Sequence, residues 1–164
     1  MNVKPSRADD FTEAVLREYS DMVYRLALSR LKHKADAEDV FQDVFLKFIQ
    51  SGKSFDNAEH LKAWLIRVTI NCCNNLRTTA WFRHTVALED DLVSEADEEK
   101  SEVYYAVLEL PPKYRMVIHL FYYEDLSITE INEALNIKAS TIASQLNRAR
   151  SILRKKLKGD YDYA

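Results

Sequence analysis

The stretch Leu126–Lys158 reads LSITEINEALNIKASTIASQLNRARSILRKKLK, and its spacing predicts two helices joined by a tight turn. Ser127 is a suitable N-cap for the first helix, because Glu130 follows three residues later and can close a capping box. Asn136 lies where this helix must end, and asparagine tolerates the left-handed conformation of such a turn. The second helix carries one apolar stripe for packing. Its members are Ile142, Leu146, Ala149 and Leu153.

The opposite side of the second helix is polar and basic. It contains Ser140, Thr141, Ser144, Asn147, Arg148, Ser151 and Lys155. Residues 134–159 include seven lysines and arginines and no acid. Slender side chains at the start of a helix let it enter the major groove, and later cations can bind the flanking phosphates. This pattern favours a helix-turn-helix that binds DNA; the simpler alternative is a helical hairpin whose basic side only faces water.

The composition of the whole chain predicts an all-α protein. Of 164 residues, 47% are hydrophobic and 11% aromatic, and there are only 2 glycines and 3 prolines. No apolar run approaches the roughly 20 residues that span a bilayer, and no signal peptide opens the sequence, so we expect a cytoplasmic protein without membrane insertion. Cys72 and Cys73 are adjacent, which disfavours a bond between them, and no spacing suggests a metal. We expect reduced thiols and no cofactor.

The net charge of −3 conceals a strong segregation along the chain. Residues 1–80 have a net charge of +1, residues 81–112 of −7 and residues 113–164 of +3. An acidic, polar middle between two parts with apolar periodicity is typical of a linker. We therefore predict two small helical domains, 1–80 and 103–164, joined by an acidic linker at 81–102.

In the first domain, a helix begins near Phe11 and a second starts afresh around Asp36. Carboxylates crowd the front of this second helix, where they interact favourably with the positive end of the helix dipole. One edge remains acidic and polar after the apolar stripe is assigned to the core. It comprises Glu38, Asp39, Gln42 and Asp43. This edge is either a solvated helix face or the contact for a partner with a basic or polar groove.

A loop at 51–60 contains Phe55, which either folds back onto the core or stacks on an unpaired base. A helix follows from about Glu59 to Thr79, with Trp64 on its apolar side, where we assign it to the core. The other side carries amides and guanidiniums, which suit base edges and phosphates. These residues are Arg67, Asn71, Asn74 and Arg77.

In the last domain, Pro111 and Pro112 end one helix and can begin another. The face formed by Val117, Ile118, Phe121 and Tyr122 is then expected to be covered by the final two helices. This gives a compact four-helix domain.

Four motifs in this order carry a family resemblance: DAEDVFQDVFLKF at 36–48, AWLIRVTIN at 63–71, LELPPKYRMVIHLFYYEDLSITEINEALNI at 108–137 and NRARSILRKKL at 147–157. They resemble the small bacterial sigma factors of the extracytoplasmic-function group, which keep only sigma domains 2 and 4. The match runs from about Phe11 to Leu157. It implies a promoter-specificity subunit of RNA polymerase that recognises the −35 and −10 elements and helps to open the DNA.

The resemblance also implies partners and site residues. Core RNA polymerase would dock through the clamp helices of its largest subunit, on Asp36, Glu38, Asp39, Gln42 and Asp43. The −10 element would be read by Phe55, Arg67, Asn71, Asn74 and Arg77. The −35 element would be read by Lys138, Ser140, Thr141, Ser144, Asn147, Arg148, Ser151 and Lys155. The flap of the second-largest subunit would be a further contact, and many relatives are held inactive by a membrane-linked anti-sigma protein that clasps both domains.

Several positions depart from the family pattern. Asn136 stands where a glycine is common, and Ala143 and Gln145 replace two common basic residues, so direct DNA contacts at those two sites are expected to be lost. The arginine cluster after the −10 helix is reduced to Arg77 and Arg83, so we expect weak binding to free DNA.

A stand-alone helix-turn-helix regulator, whose first domain binds a protein or ligand in place of polymerase, is the main alternative. An enzyme acting on nucleic acid would need a metal site or an acid–base pair, and the sequence shows neither, so no enzymatic activity is expected.

Overall fold

The computed structural model of the protein describes residues 7–83 and 101–161, and the regular structure in those ranges is helical, without a strand. This confirms the predicted all-α class for the described chain. The first part contains α1 (Arg7–Leu31), α2 (Lys34–Ser51) and α3 (Ala58–Arg83), each packed on the other two. Their apolar stripes meet in a common core. It includes Val15, Met22, Val23, Leu26, Val40, Val44, Phe45, Phe48, Leu61, Leu65 and Ile66.

The ends of α2 follow from local chemistry. The ring of His33 accepts a hydrogen bond from the backbone N–H of Asp36 at 3.3 Å, which satisfies a donor that the first helical turn leaves free. Gly52 ends the helix with a φ of +59°, a conformation that glycine adopts without steric cost. The start and end of α2 therefore set the position of its acidic edge.

The second part contains α4 (Glu102–Leu108), α5 (Pro112–Ile118), a π-helical turn (His119–Tyr123), α6 (Ile128–Leu135) and α7 (Ala139–Tyr161). The long helix α7 packs on α4, α5 and α6. Ile142, Leu146 and Ala149 of its predicted stripe are buried, and Leu153 packs at the edge of the core. Pro112 occupies the first turn of α5, as the sequence predicts.

The turn between α6 and α7 confirms the predicted capping chemistry. The Ser127 hydroxyl accepts from the Glu130 N–H at 3.1 Å, and the Glu130 carboxylate accepts from the Ser127 N–H at 3.0 Å. Asn136 ends α6 in the left-handed conformation, with φ 55° and ψ 43°. The chain therefore changes direction sharply, and α7 begins three residues later.

The prediction that Tyr122 joins the apolar face of the last domain is wrong. Val117 and Ile118 are buried, and Phe121 packs on the core, but Tyr122 is 51% exposed. The backbone N–H of Glu124 bonds to the carbonyl of His119, five residues earlier, at 3.1 Å. A π-helical turn winds less per residue than an α-helix, so Tyr122 is carried away from the buried side.

The helices extend slightly into the predicted linker. The helix α3 continues to Arg83, past the predicted domain limit at residue 80, and Ser101 caps α4 by accepting from the N–H of Tyr104 at 3.3 Å. The centre of the predicted acidic linker, residues 84–100, lies outside the described residues.

A buried arginine joins the two parts of the chain. Arg115 of α5, only 5% exposed, donates to the carbonyls of Ser29 at 2.6 Å and Arg30 at 3.2 Å, in the last turn of α1. It also donates to the carbonyls of Leu108 at 3.2 Å and Leu110 at 2.8 Å. Terminal carbonyls of a helix have no partner within it, so one guanidinium satisfies acceptors from both parts.

Two further cations of α3 reach the second part. Lys62 donates to the carbonyl of Glu124 at 3.3 Å. Arg67 donates to the carbonyls of Glu133 at 2.9 Å and Ala134 at 3.2 Å, in the last turn of α6. Cations that bind backbone carbonyls therefore supply several of the polar contacts between the two parts.

Candidate nucleic-acid interface

The polar side of α7 forms a continuous exposed surface. All eight residues predicted for the −35 element lie on it or just before it and are exposed. They are Lys138, Ser140, Thr141, Ser144, Asn147, Arg148, Ser151 and Lys155. The carbonyl of Lys138 accepts from the N–H of Ile142 at 3.0 Å, so the helix starts there, and its first N–H groups have no acceptor within the helix.

A cleft of about 290 Å³ lies beside the first turns of α7. Its walls are Lys113, Tyr114, Ser140, Thr141, Ser144, Gln145 and Arg148. The ammonium group of Lys113 lies 5.0 Å from the centre of the Tyr114 ring, and a hydrogen bond from Arg148 lowers the pKa of the Tyr114 hydroxyl. Sequence analysis missed Lys113 and Tyr114 because α5 brings them to α7 only in the folded chain.

Gln145 lines the same cleft. Its side-chain oxygen is buried and has no hydrogen-bond partner in the described structure. The sequence analysis expected this position to have lost its DNA contact because a basic residue is absent. Because this oxygen is buried, the expected loss of a DNA contact at Gln145 stays a prediction.

Asn147 and Arg150 are paired on the same helix. Arg150 donates to the Asn147 side-chain oxygen at 3.2 Å and to the hydroxyl of Tyr122 at 2.7 Å. Arg150 was counted in the basic stretch of the sequence but was not predicted as a site residue.

Phe55, predicted for the −10 element, packs against the first core. Its ring stacks on Phe48 with 6.3 Å between centroids and meets the edge of Trp64 at 5.7 Å. The sequence allows Phe55 either to fold back onto the core or to stack on an unpaired base, and in the structure the ring packs against the core. Trp64 likewise packs on the core, as predicted.

The polar side of α3 is exposed at Arg67, Asn71, Asn74 and Arg77. Two of these residues already have protein partners. Arg67 binds the end of α6, and the Asn74 side-chain oxygen accepts from Arg30 at 3.0 Å.

Arg30 of α1 adds a cation to the α3 surface that sequence analysis missed. Burial and the positive charge of nearby Arg77 both lower its pKa from the ordinary value. The two guanidiniums are therefore close enough to repel each other, and an anion beside them would relieve that repulsion. The sequence gives no signal for this pairing, since the residues are 47 positions apart.

The acidic edge of α2 borders an open groove of about 420 Å³ between α2 and α3. Glu38, Asp39, Gln42 and Asp43 are exposed, whereas Asp36 is half-buried and lies 3.3 Å from the His33 ring. The groove also contains Leu46, which is 53% exposed. An acidic rim beside an exposed aliphatic residue suits a partner with basic and apolar side chains.

The cysteines are free and buried. Burial, followed by the hydrogen bond to Asp43, raises the pKa of Cys72, and burial raises that of Cys73 to about 12. Both thiols are therefore protonated at neutral pH and poorly reactive.

Within residues 7–83 and 101–161, no three His, Cys, Asp or Glu side chains are grouped as a metal site. Over the same ranges, no helix has the length and apolar character of a bilayer span.

Comparison with known families gives two matches. Residues 15–83 match Sigma-70 region 2, and residues 100–153 match Sigma-70, region 4. The chain is 29% identical over 175 residues to the ECF RNA polymerase sigma factor SigW of Bacillus subtilis, covering 95% of this chain and 93% of that protein. It is 30% identical over 151 residues to the ECF RNA polymerase sigma factor SigL of Mycobacterium tuberculosis, covering 86% and 85%.

Two solved structures share the fold. The sigma factor RpoE from Bartonella quintana, in complex with the anti-sigma factor NepR, matches with a TM-score of 0.71 and 24% identity, covering 91% of this chain and 97% of that one. CnrH, in complex with the cytosolic domain of CnrY, matches with a TM-score of 0.68 and 23% identity, covering 91% and 88%.

Proposed function

The chain belongs to the extracytoplasmic-function RNA polymerase sigma factors, and from this membership we propose how its two helical domains divide the work of promoter recognition. A sigma factor directs transcription initiation from specific promoters. We assign polymerase docking and the −10 element to residues 1–80, and the −35 element to residues 103–164, with 81–102 as the connection. Polymerase forms the phosphodiester bonds, and this chain recognises the promoter.

The single observation that supports this division best is the polar face of α7. Eight predicted contact residues are exposed together on or beside one helix, while its opposite stripe is buried in the last domain. Small hydroxyl side chains near the start allow the helix to approach the base edges, and the cations Arg148 and Lys155 follow further along the same exposed side. Lys113, from α5, enlarges the cationic border of the same surface.

We assign recognition of the −10 element to the loop at Phe55 and to the polar side of α3. Arg67 binds the end of α6 in this arrangement, so its guanidinium reaches DNA only after α6 moves away from α3. Asn71 and Arg77 lie along the same exposed side of the helix. Holding an unpaired base requires a few kcal/mol of unstacking, which contacts in a pocket must offset. The Phe55 ring stacks on Phe48 and remains half-exposed, and we assign it the stacking contact with that base.

We assign the contact with polymerase to the groove beside α2. Its acidic rim and Leu46 offer charge and apolar area to the clamp helices of the largest subunit. The flap of the second-largest subunit would contact the last domain. The solved RpoE structure of this fold is a sigma factor bound to an anti-sigma factor, and we propose that this chain also has such a partner. Since polymerase is the main partner, the site of action is the bacterial cytoplasm, with the anti-sigma protein as the route to membrane tethering.

The test is reconstitution with purified bacterial core polymerase. The chain is mixed with core enzyme and a DNA library in which a −35 and a −10 region are randomised, and the transcript 5′ ends are sequenced. A sigma factor forms a stable complex with core and selects templates with two preferred elements. A stand-alone regulator shifts free operator DNA and creates no new start sites, which would contradict the proposal.

A further inference from the structure

Arg150 of α7 is held by contacts with two aromatic rings and two hydrogen-bond acceptors. Its guanidinium carbon lies 5.6 Å from the ring centres of both Phe121 and Tyr122. Its Nε donates to the Tyr122 hydroxyl at 2.7 Å. The two rings meet edge to face at 5.0 Å, so they form a rigid support. Cation–π contacts with two rings and one strong hydrogen bond leave this side chain little rotational freedom.

The π-helical turn explains why the support exists. It carries Tyr122 away from the core, where an α-helical register would have buried it, and places the ring beside α7. Tyr122, which is 51% exposed, thus contacts the guanidinium of Arg150 through both its ring and its hydroxyl.

Arg150 in turn fixes the orientation of Asn147. Its Nη1 donates to the Asn147 side-chain oxygen at 3.2 Å. A guanidinium only donates hydrogen bonds, so the carboxamide atom that faces it must be the oxygen, which settles the assignment of the amide. The NH₂ group of Asn147 therefore points away from Arg150, on an exposed residue of the recognition face.

We propose that Arg150, supported by Phe121 and Tyr122, is a positioning residue that makes Asn147 a hydrogen-bond donor toward the −35 element. An unconstrained asparagine reads adenine by accepting from N6 and donating to N7 together. Arg150 occupies one of the two lone pairs of the Asn147 oxygen and fixes the plane of the amide, so the NH₂ group is the part directed toward the bases. It then donates to an acceptor such as the O6 or N7 of guanine or the O4 of thymine. This inference rests on the proposed function, because it requires that α7 contacts the −35 element.

The geometry favours arginine over lysine at this position. Arginine has a planar group whose separate N–H donors reach Tyr122 and Asn147 at once, while its central carbon lies 5.6 Å from both ring centres. A lysine would keep the charge but could not hold the amide in the same plane.

The experiment uses holoenzyme made from core polymerase and the full chain, with the −35 region of the template randomised. Asn147→Ala first identifies the base position that Asn147 reads, as the position whose preference becomes flat. Arg150→Lys and Tyr122→Phe are then compared with Arg154→Lys, a conservative change at an exposed arginine one turn further along the same helix. Melting temperatures establish that every variant is folded.

We expect Arg150→Lys to weaken the preference at the Asn147 position by roughly 5-fold or more, with adenine gaining, and to leave the other −35 positions unchanged. Tyr122→Phe should cause the same change to a smaller extent, and Arg154→Lys none. A uniform loss of affinity at all positions with Arg150→Lys would show a phosphate contact and overturn the inference. An unchanged profile would overturn it as well.

The two proposals fail in distinguishable ways. If holoenzyme selects promoters but Asn147→Ala flattens no position, the sigma function stands and the positioning role of Arg150 is refuted. If no variant, including the natural chain, directs promoter-specific transcripts, the proposed function itself fails.

Discussion

Arg25 of α1 and Glu124, at the end of the π-helical turn, form a two-point ion pair across the boundary between the two parts of the chain. The Arg25 Nε lies 3.1 Å from one carboxylate oxygen, and its Nη2 lies 3.3 Å from the other. Glu124 is 8% exposed, and the ring of His119 also lies 3.2 Å from its carboxylate. The buried carboxylate of Glu124 thus contacts two basic side chains, one from each part of the chain.

The first prediction concerns the stability contributed by Glu124. Burial raises the pKa of this carboxyl group, but the hydrogen bonds and charges of His119 and Arg25 outweigh burial and leave its pKa below the ordinary 4.5. A carboxyl whose pKa is lower in the folded state stabilises the fold at pH values above 4.5, and this contribution is lost as the pH falls through the folded pKa. Glu124→Gln should therefore reduce the free energy of unfolding by about 1–3 kcal/mol at pH 7.

Urea unfolding of the natural chain and of Glu124→Gln, measured from pH 7 down to pH 3, tests this prediction. The difference between the two proteins should shrink as the pH decreases below 4.5. A difference that stays constant across this range would mean that the carboxylate charge does not stabilise the contact.

The second prediction concerns Arg115. Its guanidinium is buried and donates to four backbone carbonyls, two of them in the last turn of α1. Arg115→Ala would leave buried acceptors without donors, and we expect a loss of about 3–5 kcal/mol of unfolding free energy. Arg17→Ala is the control, because Arg17 pairs with Glu13 on the surface, with its side chain 80% exposed, and should change stability by less than about 1 kcal/mol. Chemical denaturation of both variants provides the comparison; equal effects would contradict the assigned role.

The helices and their ends could be predicted from the sequence because those signals are local. The capping box of Ser127 and Glu130, and the left-handed Asn136, depend on residues within one turn of each other. Tyr122 was misplaced because apolar periodicity assumes a regular helix, and a π-helical turn shifts the register without a strong sequence signal. The tertiary neighbours of the site could not be predicted for a different reason. Tyr114 beside Arg148 depends on how helices that are distant in sequence pack together.

The interface with polymerase gives the third prediction. Replacing Asp39 and Asp43 together with lysine reverses the charge on the rim of the α2 groove, and a basic partner surface would then be repelled. We expect the affinity for core polymerase to fall about tenfold or more in a competition assay. Asp10→Lys with Asp56→Lys is the matched control, since both residues are exposed and the change in net charge is the same.

Asp43 also has contacts within the protein, which the experiment must separate from docking. Its carboxylate accepts from the Cys72 thiol at 3.3 Å and pairs with Lys47 at 3.4 Å. A second double variant, Glu38→Lys with Asp39→Lys, leaves these contacts intact. Normal holoenzyme formation by both rim variants, with melting temperatures unchanged, would move the polymerase interface elsewhere.

The last prediction concerns Arg148, which lies on the exposed side of α7 and lines the cleft with Tyr114 and Ser144. If its guanidinium contacts a base edge, Arg148→Ala should cost roughly 1–3 kcal/mol at the preferred −35 sequence and relax the preference at one position. Arg154→Ala, on the exposed side of the same helix, should instead weaken binding about equally for all sequences, as expected for a phosphate contact. Promoter selection from a randomised −35 library separates these outcomes. Unchanged base preferences with Arg148→Ala would remove this residue from the reading surface, and the recognition of bases would then have to come from Asn147 and the hydroxyl side chains at the start of α7.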